Sequence, residues 1–252
     1  MSAVRRFKKQ SFYFVLAAAV VALAVYLIYL GVKPVSSCFD AKKNQNEEGV
    51  DCGGICQRAC SFNVEPLNIL WTRPFEVRPG SYDVAAFVSN PNTLLGVSSL
   101  VYRFKIYDAD NILVAIKEGQ TFVNPGENFV VFESNVAVGQ RRPQRAIIEF
   151  ESAVWNRVEK SVPFLKADKK EFANAPFPRL SAEIQNKSIF DVGDIYAASV
   201  LFDENGNALG VSQIKIDGLK AEGAKTISFT WPVPFEKEPA SSQIFLRTRL
   251  AP

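Results

Sequence analysis

From Ser11 to Val32 the chain reads SFYFVLAAAVVALAVYLIYLGV, a run without a charge. At 1.5 Å per residue it makes a helix of about 33 Å, enough to cross a hydrocarbon core of about 30 Å. From Phe62 onward the pattern changes to short alternating runs broken by turn residues, with little sustained 3.6-residue periodicity. That is the pattern of an all-β sandwich. It predicts strands at residues 84–88, 101–107, 129–132, 146–150, 195–202, 227–231 and 244–250. In ISFTW at 227–231 the alternation is clean, so one face is expected in the core and the other in water.

The β-rich part repeats itself. FVSNPN at 87–92 answers EIQNKS at 183–188, FKIYDADNIL at 104–113 answers SVLFDENGNAL at 199–209, and NPGENFVVFE at 124–133 answers AEGAKTISFTW at 221–231. The offset stays between 95 and 97 residues, the length of one small sandwich domain, so two are expected. Asp108 and Asp203 each end a hydrophobic strand and open a turn, and turn formation is the stronger reading of their recurrence. KADKKEFANAPFP at 166–178 reads as a strand-edge connector or linker, which puts the boundary near 163–176.

Charge orients the apolar helix. Arg5, Arg6, Lys8 and Lys9 precede it and only Lys33 follows closely, so the N-terminus is expected in the cytoplasm and everything after Val32 outside. Phe12, Tyr13 and Phe14 at one end and Tyr26 and Tyr29 at the other fit interfacial aromatic belts. A cleaved signal peptide is the competing reading, but its apolar region is shorter, about 7–15 residues, and GVKPVSSC offers no convincing small-x-small site. Val35-Ser36-Ser37-Cys38 resembles a lipobox only superficially, since Lys33 and Pro34 separate it from the apolar run. The glutamate that a type IV pilin carries early in its helix is missing. Outside the first ten residues little of the net charge of +3 remains, so no nucleic-acid surface is expected. The chain contains no histidine, which removes the commonest general base and metal ligand.

All four cysteines lie in CFDAKKNQNEEGVDCGGICQRAC, residues 38–60. An extracytoplasmic segment with an even cysteine count favours two disulfides among Cys38, Cys52, Cys56 and Cys60, with three connectivities open. Zinc is disfavoured, because the spacing lacks the C-x2-C knuckle and no histidine can stand in. The C-x-x-C of a redox centre is also absent. Asp40, Asn44, Glu47 and Asp51 are oxygen ligands at short intervals beside Gly53-Gly54, a set that calcium could take, although the order is not that of an EF-hand. The competing reading is a solvated polar loop held by the disulfides. No other cofactor is expected.

The segment resembles a small motif of bacterial and archaeal surface proteins, C-x-D-G-x-x-N-x-x-E-x-x-x-D-C-G-G-x-C-x-x-C. Cys38, Asp40, Asn44, Glu47, Asp51, Cys52, Gly53, Gly54 and Cys56 fall on it. The chain departs at Ala41, where glycine is usual, and in having three residues before Cys60. Farther on, Phe104-Lys105-Ile106-Tyr107-Asp108 resembles the motif of FxLYD domains, small Ig-like sandwiches of bacterial and archaeal surface proteins. In the second copy Ser199 replaces the first aromatic of the motif. The resemblance covers roughly residues 75–252. It implies a mainly β fold of two tandem Ig-like β-sandwich domains, which the apolar run and the cysteine cluster place after a single transmembrane helix and a small disulfide-rich segment. The expected divisions are a basic cytoplasmic N-terminus at 1–10, the helix at 11–32, a cysteine-rich membrane-proximal segment at 33–61, and sandwiches at 62–165 and 166–252.

No nucleophile elbow, phosphate loop or H-E-x-x-H helix appears. Trp231 reads as core and Trp71 as partly buried, while Trp155, in AVWNRVEK, reads as the most exposed of the three, and a single tryptophan is weak evidence for a sugar-binding surface. Arg141-Arg142 reads as a solvated loop. The expected function is non-enzymatic: a single-pass protein of the cell membrane presenting its sandwiches for adhesion or interaction with other envelope proteins. The alternative is a structural subunit of an envelope assembly such as a pilus or secretion apparatus. An envelope hydrolase or carbohydrate-binding protein has less support.

Overall fold

The computed structural model describes residues 2–32 and 36–250, with side chains from Ser11 onward. The side chains of Arg5, Arg6, Lys8 and Lys9, the step Lys33-Pro34-Val35 and the last two residues lie outside the described residues. The chain forms two compact units, residues 1–55 and 56–252.

In the first unit one helix, α1 (Ser2–Val32), carries the apolar run. Its stretch Ser11–Val32 is long and apolar enough to cross a membrane. A helix that is apolar all round needs burial in protein or lipid, and none of this stretch is buried by the described residues. A loop of turns follows, residues 36–55.

The second unit is built of strands: β1 (Asn68–Arg78), β2 (Ser81–Ser89), β3 (Leu95–Asp108), β4 (Leu113–Val123), β5 (Asn128–Ala137), β6 (Pro143–Phe150), β7 (Asn156–Arg157), β8 (Leu165–Ala173), β9 (Arg179–Asn186), β10 (Ile195–Phe202), β11 (Ala208–Ile216), β12 (Ala224–Thr230) and β13 (Ser241–Arg247). The fold is mainly β, as expected. Each of the seven predicted strands overlaps an observed one, with ends shifted by a few residues. β1, β4, β8 and β11 are not announced by alternation. Pro74 interrupts β1 and Gly119 interrupts β4, yet both are edge strands, where a missing donor or side chain costs least. Residues 166–178 are a correction to the linker reading: most of them form β8, which pairs with β9 and belongs to the second half.

The repeat is a repeat of topology. In the first half, sheet β1-β2-β5 lies against sheet β4-β3-β6, to which β7 adds a short pairing with β3. The second half uses β8-β9-β12 and β11-β10-β13, the same order displaced by one domain length. Each pair of sheets encloses a core. Val84, Ala86, Val88, Phe104, Ile106 and Phe129 are among those filling the first, and Leu180, Ile184, Ile195, Leu201, Phe229 and Trp231 among those filling the second. In β3 the alternation sends Leu100, Tyr102, Phe104 and Ile106 inward.

β2 and β10 behave differently. Residues 81–86 of β2 and 197–201 of β10 are buried without alternation. Their second faces meet in a third apolar cluster: Ala85 and Val130 from the first half, Ala198, Val200, Val211 and Phe245 from the second. Trp71, Phe75, Phe87, Phe132 and Phe202 pack around it. Sheet β1-β2-β5 therefore lies back to back with sheet β11-β10-β13, and the four sheets stack in layers. The two outermost faces are polar. Arg103 and Lys105 of β3 pair with Glu118 of β4 and Glu149 of β6 on one, and Lys169 of β8 pairs with Glu183 of β9 on the other.

Candidate functional site

Cys38, Cys52, Cys56 and Cys60 are all disulfide-bonded, as their number and spacing predict. Within residues 36–55, the oxygens of the four candidate calcium ligands accept mostly backbone amides. Asp51 takes the N–H of Asp40 and Ala41, Asp40 takes that of Lys42 and the side-chain amide of Asn44, and Glu47 takes those of Asn44 and Asp51. The Asn44 hydrogen bond, opposed by burial and aided by the Lys42 amide, holds the Asp40 carboxyl below its ordinary pKa. A cation would compete with these donors for the same oxygens. Asn44 Oδ1, alone of the set, is buried without a hydrogen-bond partner among the described residues. Gly54 is required by contact: a Cβ there would lie 2.0 Å from the Asn46 carbonyl oxygen, and its φ is +57°. Ala41, standing where the related motif has glycine, also adopts a left-handed φ of 57°.

The recurring aspartates build turns. Asp108 accepts the amides of Asp110 and Ile112, and Asp203 those of Asn205 and Asn207. Asn111 and Gly206 take the left-handed position of the two turns. For Asp108 burial works against the charge, but the Ile112 amide and Arg141 outweigh it and the carboxyl sits below its ordinary range. For Asp203 the Asn207 amide lowers it. Arg141 of the arginine pair is thus an ion-pair partner at the β3–β4 turn, as well as part of a loop.

A second side chain, an asparagine, also recurs at the same offset in the repeat. Asn90 and Asn186 are both buried. Asn90 donates to the carbonyls of Leu95 and Asn124 and accepts from the Asn92 amide; Asn186 donates to those of Phe190 and Lys220 and accepts from the Ser188 amide. Each asparagine pins its own loop and ties it to a second loop at one end of its half, and the pattern N-x-[NS] at equal offset is the sequence signal for it. Trp231 is buried and Trp71 partly so, as expected, the latter at the seam. Trp155, expected to be the most exposed of the three, packs partly buried against the first core.

The seam between the halves is the most constructed region. Arg247 of β13 is buried, with its guanidinium 4.2 Å from the ring centre of Phe122 and 4.3 Å from that of Phe129. It pairs with Glu127 at 2.5 Å and donates to Thr121 and to the Phe122 carbonyl. Glu127 also takes the backbone and side-chain amides of Asn124, which bonds to Thr248 and Leu250 of the second half. Beside this cluster lies a cleft of about 230 Å³ lined by Ser99, Gln120, Tyr196, Gln213 and Arg249 among others. On the other flank a wider groove of about 570 Å³ includes Asp83, Asn135 and Trp231. Burial raises the Asp83 carboxyl above its ordinary pKa, against the Asn135 amide that lowers it. The first cleft has a mostly polar lining that includes Tyr102, which donates to Glu133 at 2.8 Å, and the second holds the buried Asp83 carboxyl. The chain matches no known family model and no curated protein.

Proposed function

We propose that this is a single-pass membrane protein whose two halves are tandem Ig-like sandwiches of FxLYD type, held outside the cytoplasm as one rigid body that presents its surfaces to other envelope proteins. The observation that carries the reading is the back-to-back seam. A shared apolar cluster and a buried ion pair across it suit a module that displays fixed faces. Strand order 1-2-5 against 4-3-6, repeated in the second half, corresponds to the A-B-E and C′-C-F arrangement of Ig-type sandwiches and supports the fold assignment. The disulfides support an oxidising compartment, and the charge-free helix supports an anchor. The carboxylates that recur in the sequence are engaged in turns, which favours binding over catalysis.

Protease treatment of intact cells tests the topology. Cleavage of the β-rich part without permeabilisation is expected, and protection until the cells are permeabilised would refute it. A second reading, a subunit of an envelope assembly, draws on Ala17, Ala18, Ala19, Ala22 and Ala24, which would let helices approach closely. Native electrophoresis of gently solubilised membranes separates the two, since a lone monomer argues against an assembly.

A further inference from the structure

One end of the second unit, the end at which the chain enters it, carries a set of bare apolar side chains. Phe164 is 65% exposed, Ile189 89%, Phe190 43%, Val162 72% and Leu94 60%. They are neighbours through the backbone: Phe164 exchanges hydrogen bonds with Lys187 and Ser188, and the Val158 amide bonds to the Leu94 carbonyl. The Asn124 contacts to Thr248 and Leu250 bring the corresponding ends of the two halves together. The entering chain is held at this end. Arg58 bridges to Asn156, Ala59 and Arg157 bond to Trp155 and Gln57, and Glu65 is held by Asn92.

Exposed aliphatic and aromatic residues clustered at loop tips cost solubility and are retained where something covers them. The chain reaches this end only 24 residues after Val32, the last residue of the apolar helix, and the intervening segment is shortened by disulfides. Exposed Lys160, Lys187, Lys220 and Arg249 lie at the same end among exposed Glu159, Asp191, Asp194, Asp217 and Glu222, so charge does not draw this end to an anionic surface and the contact falls to its apolar side chains. We infer that this apolar rim docks on the lipid surface in which the chain's own helix is anchored, with Phe164, Ile189 and Phe190 at the level of the headgroups and upper acyl chains. The docked unit then stands on the bilayer with its strands pointing away, and the turns at Asp108 and Asp203 are its outermost points. The inference rests on the anchor reading of residues 11–32.

The test uses the full chain reconstituted in phosphatidylcholine–phosphatidylglycerol vesicles, with or without bromine on the upper acyl carbons. Phe164→Trp and Ile189→Trp place a reporter on the rim. Phe177→Trp places one in the β8–β9 connection, at the opposite end of the eight-residue strand β9, about 26 Å away. All three sites are exposed, so the fold should accept each change. Relative to the unsubstituted chain, the emission added by Phe164→Trp and Ile189→Trp is expected to be blue-shifted and quenched by bromine, and that added by Phe177→Trp to be neither. Three equally unquenched reporters in a chain that floats with the vesicles would overturn the docking and leave the anchor standing. A chain that fails to float, or is stripped by alkaline carbonate, would overturn the anchor and the docking with it.

Discussion

Arg247→Ala is the sharpest probe of the seam. The Arg247 and Glu127 side chains are only 8% and 15% exposed, so solvent screens their pairing little. Removing the arginine leaves Glu127 with the Asn124 amides but no counter-charge, and empties the space between Phe122 and Phe129. Breaking one partner of a buried pair costs about 3–5 kcal/mol. The remaining Asn124 hydrogen bonds and access to the adjoining cleft place the expected loss near the lower end, about 3 kcal/mol. Urea unfolding of the full chain, followed by far-ultraviolet circular dichroism and by tryptophan fluorescence, reads it. The wild type is expected to unfold with coincident transitions, because the halves share a core, whereas the variant is expected to split into two. A double-mutant cycle with Glu127→Gln separates the pair from the packing loss. A loss below about 1 kcal/mol, the worth of a solvated surface pair, with transitions still coincident, would refute the claim that this ion pair fastens the seam.

Other changes test smaller parts of the account. Ala41→Gly relieves a left-handed residue and should stabilise the cysteine-rich loop by about 1 kcal/mol; slower amide exchange over residues 38–52 is the readout, and faster exchange would contradict it. Ser199 is fully buried with its hydroxyl unpartnered, so Ser199→Ala should raise the unfolding free energy by up to about 1 kcal/mol; a clear loss would mean that the hydroxyl has a partner. The Asp83 carboxyl, raised by burial, stabilises the fold only while protonated, an effect present below its ordinary pKa and lost as pH rises through its folded value. Asp83→Asn keeps an oxygen for the Asn135 amide and should therefore be more stable than wild type at pH 7, with the advantage shrinking on acidification; an advantage that grows at low pH would reverse the assignment.

The sequence by itself determined the elements whose physics is local. An uncharged run of 22 residues marked a helix long and apolar enough to cross a membrane. Alternation marked β3 and β12, where one face is wet, and turn chemistry marked Asp108 and Asp203, because an aspartate bonds amides two and four residues on. Even cysteine count and spacing marked the disulfides. Edge strands β1, β4, β8 and β11 were hidden, since an edge tolerates proline, glycine and charge that a central strand does not.

What only the tertiary structure decided is which faces meet. The unbroken apolar runs of β2 and β10 were visible as strands, but a run buried on both faces does not say what lies on its second side. Arg247 and Glu127, separated by 120 residues, carry no local sign of each other. Trp155 sits in no alternating run that would assign it a buried face, and it is partly covered because the fold brings the first core beneath it. Local periodicity measures how a residue relates to its own strand, whereas the seam is a relation between two sheets from different halves of the chain. Only their stacking brings it into being.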